Sequence, residues 1–139
     1  MSPETAIIAA VAVPLIGAVF IFLNGRTANI RAAVTVITAI VTFCIVTTLF
    51  DDVASGARPS VTVLEMLPGL GITFTLEPLG MLFAGVASGL WIVTSIYAVG
   101  YMRGHHEINQ TCFYTCFAIA ISSAIGIAFA GNMLTLFVF

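Results

Sequence analysis

Few side chains in this sequence could do chemistry, and they lie far apart. His105 and His106 are adjacent, and Cys112 and Cys116 follow four residues apart. Imidazole and thiolate together are the ligands of zinc, yet none of the usual zinc spacings is present. The reading is a solvated polar turn followed by buried thiols, with no metal site. Cys44 is the third cysteine, and all three fall in apolar stretches where free Cys packs as a small hydrophobe, so no disulfide framework is expected. Glu77 is followed directly by Pro78. That pair suits a first helical turn, where a carboxylate meets the positive end of the helix dipole. The structural role of a helix-start acid weighs most for Glu77, and it is also the one candidate for an ion pathway or an interface. There is no phosphate loop, no Gly-x-Gly-x-x-Gly after a strand, no Gly-x-Ser-x-Gly and no haem-attachment motif. No catalytic residue is therefore assigned, and no cofactor is expected in this chain.

The elements that carry these residues follow from composition. Of 139 residues, 60% are hydrophobic and only 7% charged, against about 25% charge in ordinary soluble domains. The mean hydropathy of +1.17 excludes a water-soluble globule. A net charge of −2 with no Lys/Arg run leaves no footprint for nucleic acid or for a polybasic contact with anionic lipid. The charged residues separate long uncharged stretches, and at about 1.5 Å per residue these are long enough to span a bilayer. The spacing predicts an all-α membrane protein, residues 1–139 forming a single membrane segment. Four transmembrane helices are expected over about 5–23, 32–50, 79–101 and 111–130, with a fifth opening over 132–139 after the stop signal Gly131-Asn132. Pro14 falls mid-span, where it removes a backbone donor and can kink the helix.

Between the second and third spans, β-prone and alternating segments flank Pro68-Gly69-Leu70-Gly71. A short extracytoplasmic β-hairpin over about 61–76, lying on the membrane surface, is expected there. Gly85 and Gly89 form a small-xxx-small pattern that lets another helix approach, and packing within this chain suffices to account for it. Arg26, Arg31 and Arg103 fall in the turns on one side, against Arg58 alone on the other. The excess of Arg sets the topology, placing those turns in the cytoplasm and the N-terminus outside a multi-pass cell (inner) membrane protein. The acidic flank Met1 to Glu4 lacks the positive region of a cleaved signal. No ionisable residue falls in the interior of a predicted span, so this segment by itself lacks the parts of a proton relay.

Three ordered elements carry a resemblance. Residues 72–83, ITFTLEPLGMLF, look like a strand, an acidic residue and the start of a third helix. Residues 95–103, SIYAVGYMR, and 131–139, GNMLTLFVF, match two further elements in order. Together they resemble the N-terminal segment of the antiporter-like membrane subunits shared by respiratory complex I and the Mrp-type multisubunit Na+/H+ antiporters. These form a proton-conducting membrane transporter family that includes the D-type Mrp subunits. The resemblance implies inverted helical repeats whose broken helices line a buried chain of Glu, Lys and His. The fifth helix of that family continues with an aromatic-Glu pair, and this sequence stops at Phe139 before it. The expectation is a fragment, a split subunit or a truncated reading frame, with only Glu77 at the family's acidic position. The implied role is helix packing and subunit interface in a cation/proton antiporter. The implied partners are other membrane subunits of a hetero-oligomer, the lipid bilayer, and H+ with Na+ passing through the whole complex. Two alternatives stay open. One is the membrane arm of a complex I-like NADH:quinone oxidoreductase or membrane-bound hydrogenase, an enzyme only as part of the redox complex. The other is a small standalone membrane scaffold.

Overall fold

A computed structural model describes residues 2–139. In chain order the elements are helices α1 (Pro3–Leu23) and α2 (Ala28–Ala54), strands β1 (Ser60–Leu67) and β2 (Leu70–Thr75), and helices α3 (Pro78–His105), α4 (Gln110–Ala128) and α5 (Met133–Val138). Helices α1 to α4 are each long and apolar enough to cross a membrane. Each packs on its sequence neighbours and α1 also packs on α4, so the four make a closed ring.

The buried positions explain the ring. In α3 they are Met81, Ala84, Ser88, Trp91, Ser95 and Ala98, alternating steps of three and four residues along one face. In α1 the same steps run through Ile7, Ala10, Pro14, Gly17 and Ile21. The inward stripe is rich in Ala, Gly, Ser and Thr, whereas Leu82, Phe83, Leu90, Val93 and Ile96 point outward. Small residues inside let the backbones approach, and lipid receives the large side chains at no cost. Inside the ring the apolar core divides in two. One cluster joins Ile7, Leu49, Phe74, Leu76, Met81 and Phe129 at the hairpin end. The other gathers Ala18, Ile21, Ala39, Trp91 and Tyr114 at the opposite end.

Pro14 lies buried within α1. It removes the donor that the carbonyl of Ala10 would receive, and Ser122 Oγ of α4 donates at 2.7 Å to the neighbouring carbonyl of Val11. The helices run beyond their expected limits at several ends. Helix α2 begins at Ala28 rather than 32, which draws Arg31 into its first turn. Helix α4 stops at Ala128 because the chain turns at Phe129 and residues 129–131 bond to the hairpin instead.

The hairpin is antiparallel and closes on Pro68-Gly69. Proline pre-sets the first central position of the turn, and Gly69, at φ 86°, supplies the left-handed second. β1 is longer than β2, and the pairing absorbs the difference in irregularities between Thr62 and Leu64 and between Glu65 and Leu67.

Candidate functional site

Polar side chains gather at the two ends of the ring, and no charged residue lies midway along a helix. The hairpin end carries Glu4, Asp51, Asp52, Glu65 and Glu77 with Arg58. The opposite end carries Arg26, Arg31 and Arg103 with Glu107. The molecule is therefore acidic at one end and basic at the other.

At the basic end Arg31 is 7% exposed. Its guanidinium donates to the carbonyl of Gly25 at 3.1 Å, to Thr111 Oγ1 at 3.0 Å and to Gln110 Oε1 at 2.7 Å. Thr111 Oγ1 in turn donates to the Gly25 carbonyl at 3.2 Å, and Gln110 Nε2 donates to the Met102 carbonyl at 3.1 Å. The Tyr114 ring lies under the guanidinium with its centroid 5.7 Å away. One side chain thus ties the α1–α2 turn to the start of α4 and, through Gln110, to the end of α3. Its planar fork of donors is what the job requires, since an ammonium is a single point. Arg31 Nε stays buried without a partner. Arg103 reaches Asn29 Oδ1 at 2.9 Å, and Arg26 is exposed. All three arginines lie at one end, and only Arg31 is buried.

Glu77 is the N-cap residue of α3, in extended conformation. Its side chain makes no capping hydrogen bond, while its carbonyl accepts from Met81 N at 2.9 Å. The carboxylate is exposed at the rim of a groove of about 530 Å³ whose walls are Leu79, Phe83, Ala124 and Ile127. At the groove floor α3 and α4 approach closely: a Cβ on Gly80 would collide with the Ala128 carbonyl. Gly85 has open space where its Cβ would be, above a groove of about 220 Å³ between α2 and α3. A Cβ on Gly89 would lie 3.4 Å from the Phe43 ring, ordinary contact. Among the α3 glycines the tightest contact therefore falls at Gly80 rather than at Gly85 or Gly89.

A third constellation binds the hairpin to the start of α5. Asn132 caps α5, its Oδ1 accepting from Thr135 N at 2.8 Å, while its Nδ2 donates to the Gly71 carbonyl at 2.6 Å. Thr73 N donates to Thr135 Oγ1 at 2.9 Å. Thr75 N and Gly131 N donate at 2.8 Å to the carbonyls of Phe129 and Thr73, so Ala130 pairs with Phe74 of β2 in an isolated antiparallel bridge. Sequence reading missed this clip and the Arg31 knot alike. The signal available was the side-chain type: an Asn before a helix start, and an Arg beside a span.

The histidines and cysteines do not converge as a set. His105 stacks on Tyr101 with centroids 4.3 Å apart, and His106 forms the left-handed cap of α3. Among the described residues no three His, Cys, Asp or Glu side chains come together. The thiols are not buried as expected: Cys44, Cys112 and Cys116 are all exposed on the outer face of the ring. Small apolar thiols have no need of burial where the surroundings are hydrocarbon.

No family model matches the chain. It is 29% identical over 103 residues, 73% of its length, to a probable K+/H+ antiporter subunit, of the A/B type, from Rhizobium meliloti (strain 1021). It is 28% identical over 102 residues to the A1 subunit of a Na+/H+ antiporter from Staphylococcus aureus (strain bovine RF122 / ET3-1), covering 72% of this chain. The chain spans only 10% and 12% of the length of these relatives. Among solved structures, its fold matches a chain of the membrane-bound sulfane sulfur reductase, an archaeal respiratory membrane complex, with a TM-score of 0.76. That match covers 93% of this chain and 20% of the other at 17% identity. By sequence, then, this multi-pass membrane chain is similar to antiporter subunits, and by fold to a chain of a respiratory membrane complex.

Proposed function

We propose that the chain is part of a membrane subunit of a multisubunit cation/proton antiporter, where it supplies helix packing and subunit interface. The observation that carries this is the similarity to two antiporter subunits over nearly three quarters of the chain. The packing role rests on the distribution of charge: every ionisable carboxylate and arginine lies at an end of the ring, so proton or sodium passage belongs to other parts of the whole complex. Glu77, exposed at a groove rim, acts in this reading as a contact for a neighbouring subunit. The fold match to the sulfur reductase complex favours a second reading, the membrane arm of a redox-driven respiratory complex.

The test is made in native membranes. A tagged chain is expected to co-purify with other membrane subunits, and vesicles from cells lacking it are expected to lose cation-driven proton exchange. A stable lone 14.6 kDa species that copurifies with no membrane protein overturns both readings. Vesicles that keep ion exchange and lose substrate-driven respiration select the second reading over the first.

A further inference from the structure

We propose that Cys112 and Cys116 form a dithiol site that chelates one thiophilic d10 cation of the zinc and cadmium type. The two Sγ atoms lie 3.9 Å apart on the outer face of α4. In tetrahedral thiolate coordination with bonds of about 2.3 Å, neighbouring sulfurs stand about 3.8 Å apart. The pair is therefore already at chelating distance, and a bound ion would subtend an angle of about 116° at bonds of about 2.3 Å. A disulfide fits less well, because residues four apart on a helix hold their Cβ atoms about 5–6 Å apart and a disulfide needs about 3.5–4.5 Å. The helix holds the sulfurs open for a bridging ion.

The surroundings leave room for one. A groove of about 300 Å³ lined by Cys112, Phe113, Cys116 and Phe117 opens on one side of the pair. Another of about 390 Å³, containing Asn109, Thr111 and Thr115, opens on the other. Thr115 Oγ1 itself is buried, without a hydrogen-bond partner, and adds no donor to the groove. Cys112 and Cys116 stand two and six residues into α4, about 3 Å and 9 Å from its start at 1.5 Å per residue. Cys112 therefore lies within the interfacial layer and Cys116 one turn deeper, so an ion reaches the pair from the Cys112 end. Binding replaces two S–H bonds by two S–metal bonds and releases two protons, with no change of oxidation state. Water or an external thiolate fills the remaining positions.

The test uses the full chain in nanodiscs with Cd2+ as the probe and the ultraviolet Cd–thiolate charge-transfer band as the readout. One ion per chain, two protons released per ion and competition by Zn2+ are expected. Cys112→Ser and Cys116→Ser should each weaken binding on the order of 100-fold, because a chelate becomes a single contact. Cys44→Ser should leave it unchanged. Absence of the band, equal loss in Cys44→Ser, or single variants that bind like the native chain would overturn the proposal. So would ready closure of the pair to a disulfide by diamide with helix content retained.

Discussion

Arg31 shows what one side chain can do at the end of a helical ring. Read along the sequence it is one of two arginines in a turn. In the structure it is buried in the first turn of α2, donating to three oxygens, one from Gly25 in the preceding turn and two from the distant pair Gln110 and Thr111. Hydrogen bonds to charged groups contribute about 1.5–3 kcal/mol each, and truncation also leaves Thr111 and Gln110 to find new donors. Arg31→Ala is expected to cost about 2–4 kcal/mol, read as a lower midpoint in denaturing-detergent titration. Arg31→Lys should recover less than half of that, because one ammonium cannot serve a forked set of acceptors. Equal stability of the Lys variant and the native chain would refute the knot. The position of Arg31 near a span boundary was legible in the sequence, and its burial was not, because Gln110 and Thr111 lie 79 and 80 residues away. The Cys112–Cys116 contact hid differently: the four-residue spacing was visible, and it matched no standard ligand pattern.

The helices were legible from charge spacing alone, since lipid forces uncharged stretches of this length into helix. Which face of each helix turns inward was not. Both faces are apolar, so hydrophobicity carries no phase, and the signal lies in side-chain size. Ser88 and Ser95 go in, while Leu90 and Ile96 go out. The hairpin was legible through Pro68-Gly69 and the alternation of residues 72–76. Its attachment to residues 129–135 was not, because two of the contacts are backbone to backbone and the two side-chain ones join residues 61 and 62 positions apart. Asn132 and Thr135 are where that attachment meets side chains. Asn132→Ala removes the cap of α5 and the bond to Gly71, and is expected to cost about 1–2 kcal/mol. Amide hydrogen exchange at Thr73 and Thr75 should accelerate in this variant while exchange in α1 stays as it was. Unchanged protection at both amides would show that the strand contacts hold without the Asn.

On the scale of the molecule, five carboxylates share the hairpin end with one arginine, and three arginines share the other with one glutamate. Positive loops stay in the cytoplasm during insertion, so the basic end is predicted to face inward and the hairpin outward. Reporter fusions after Arg31 and after Arg58 test this: the first should report the cytoplasm and the second the opposite side. A cytoplasmic signal from the Arg58 fusion reverses this topology. The clip between the hairpin and α5 also bears on synthesis. Thr73 receives its hydroxyl partner from a residue 62 positions later. At about 5–20 residues per second, that partner leaves the ribosome about 3–12 s after the strand it completes. During that interval β2 is an unpaired edge, open to the wrong neighbour, and the nascent chain needs shelter there until α5 arrives.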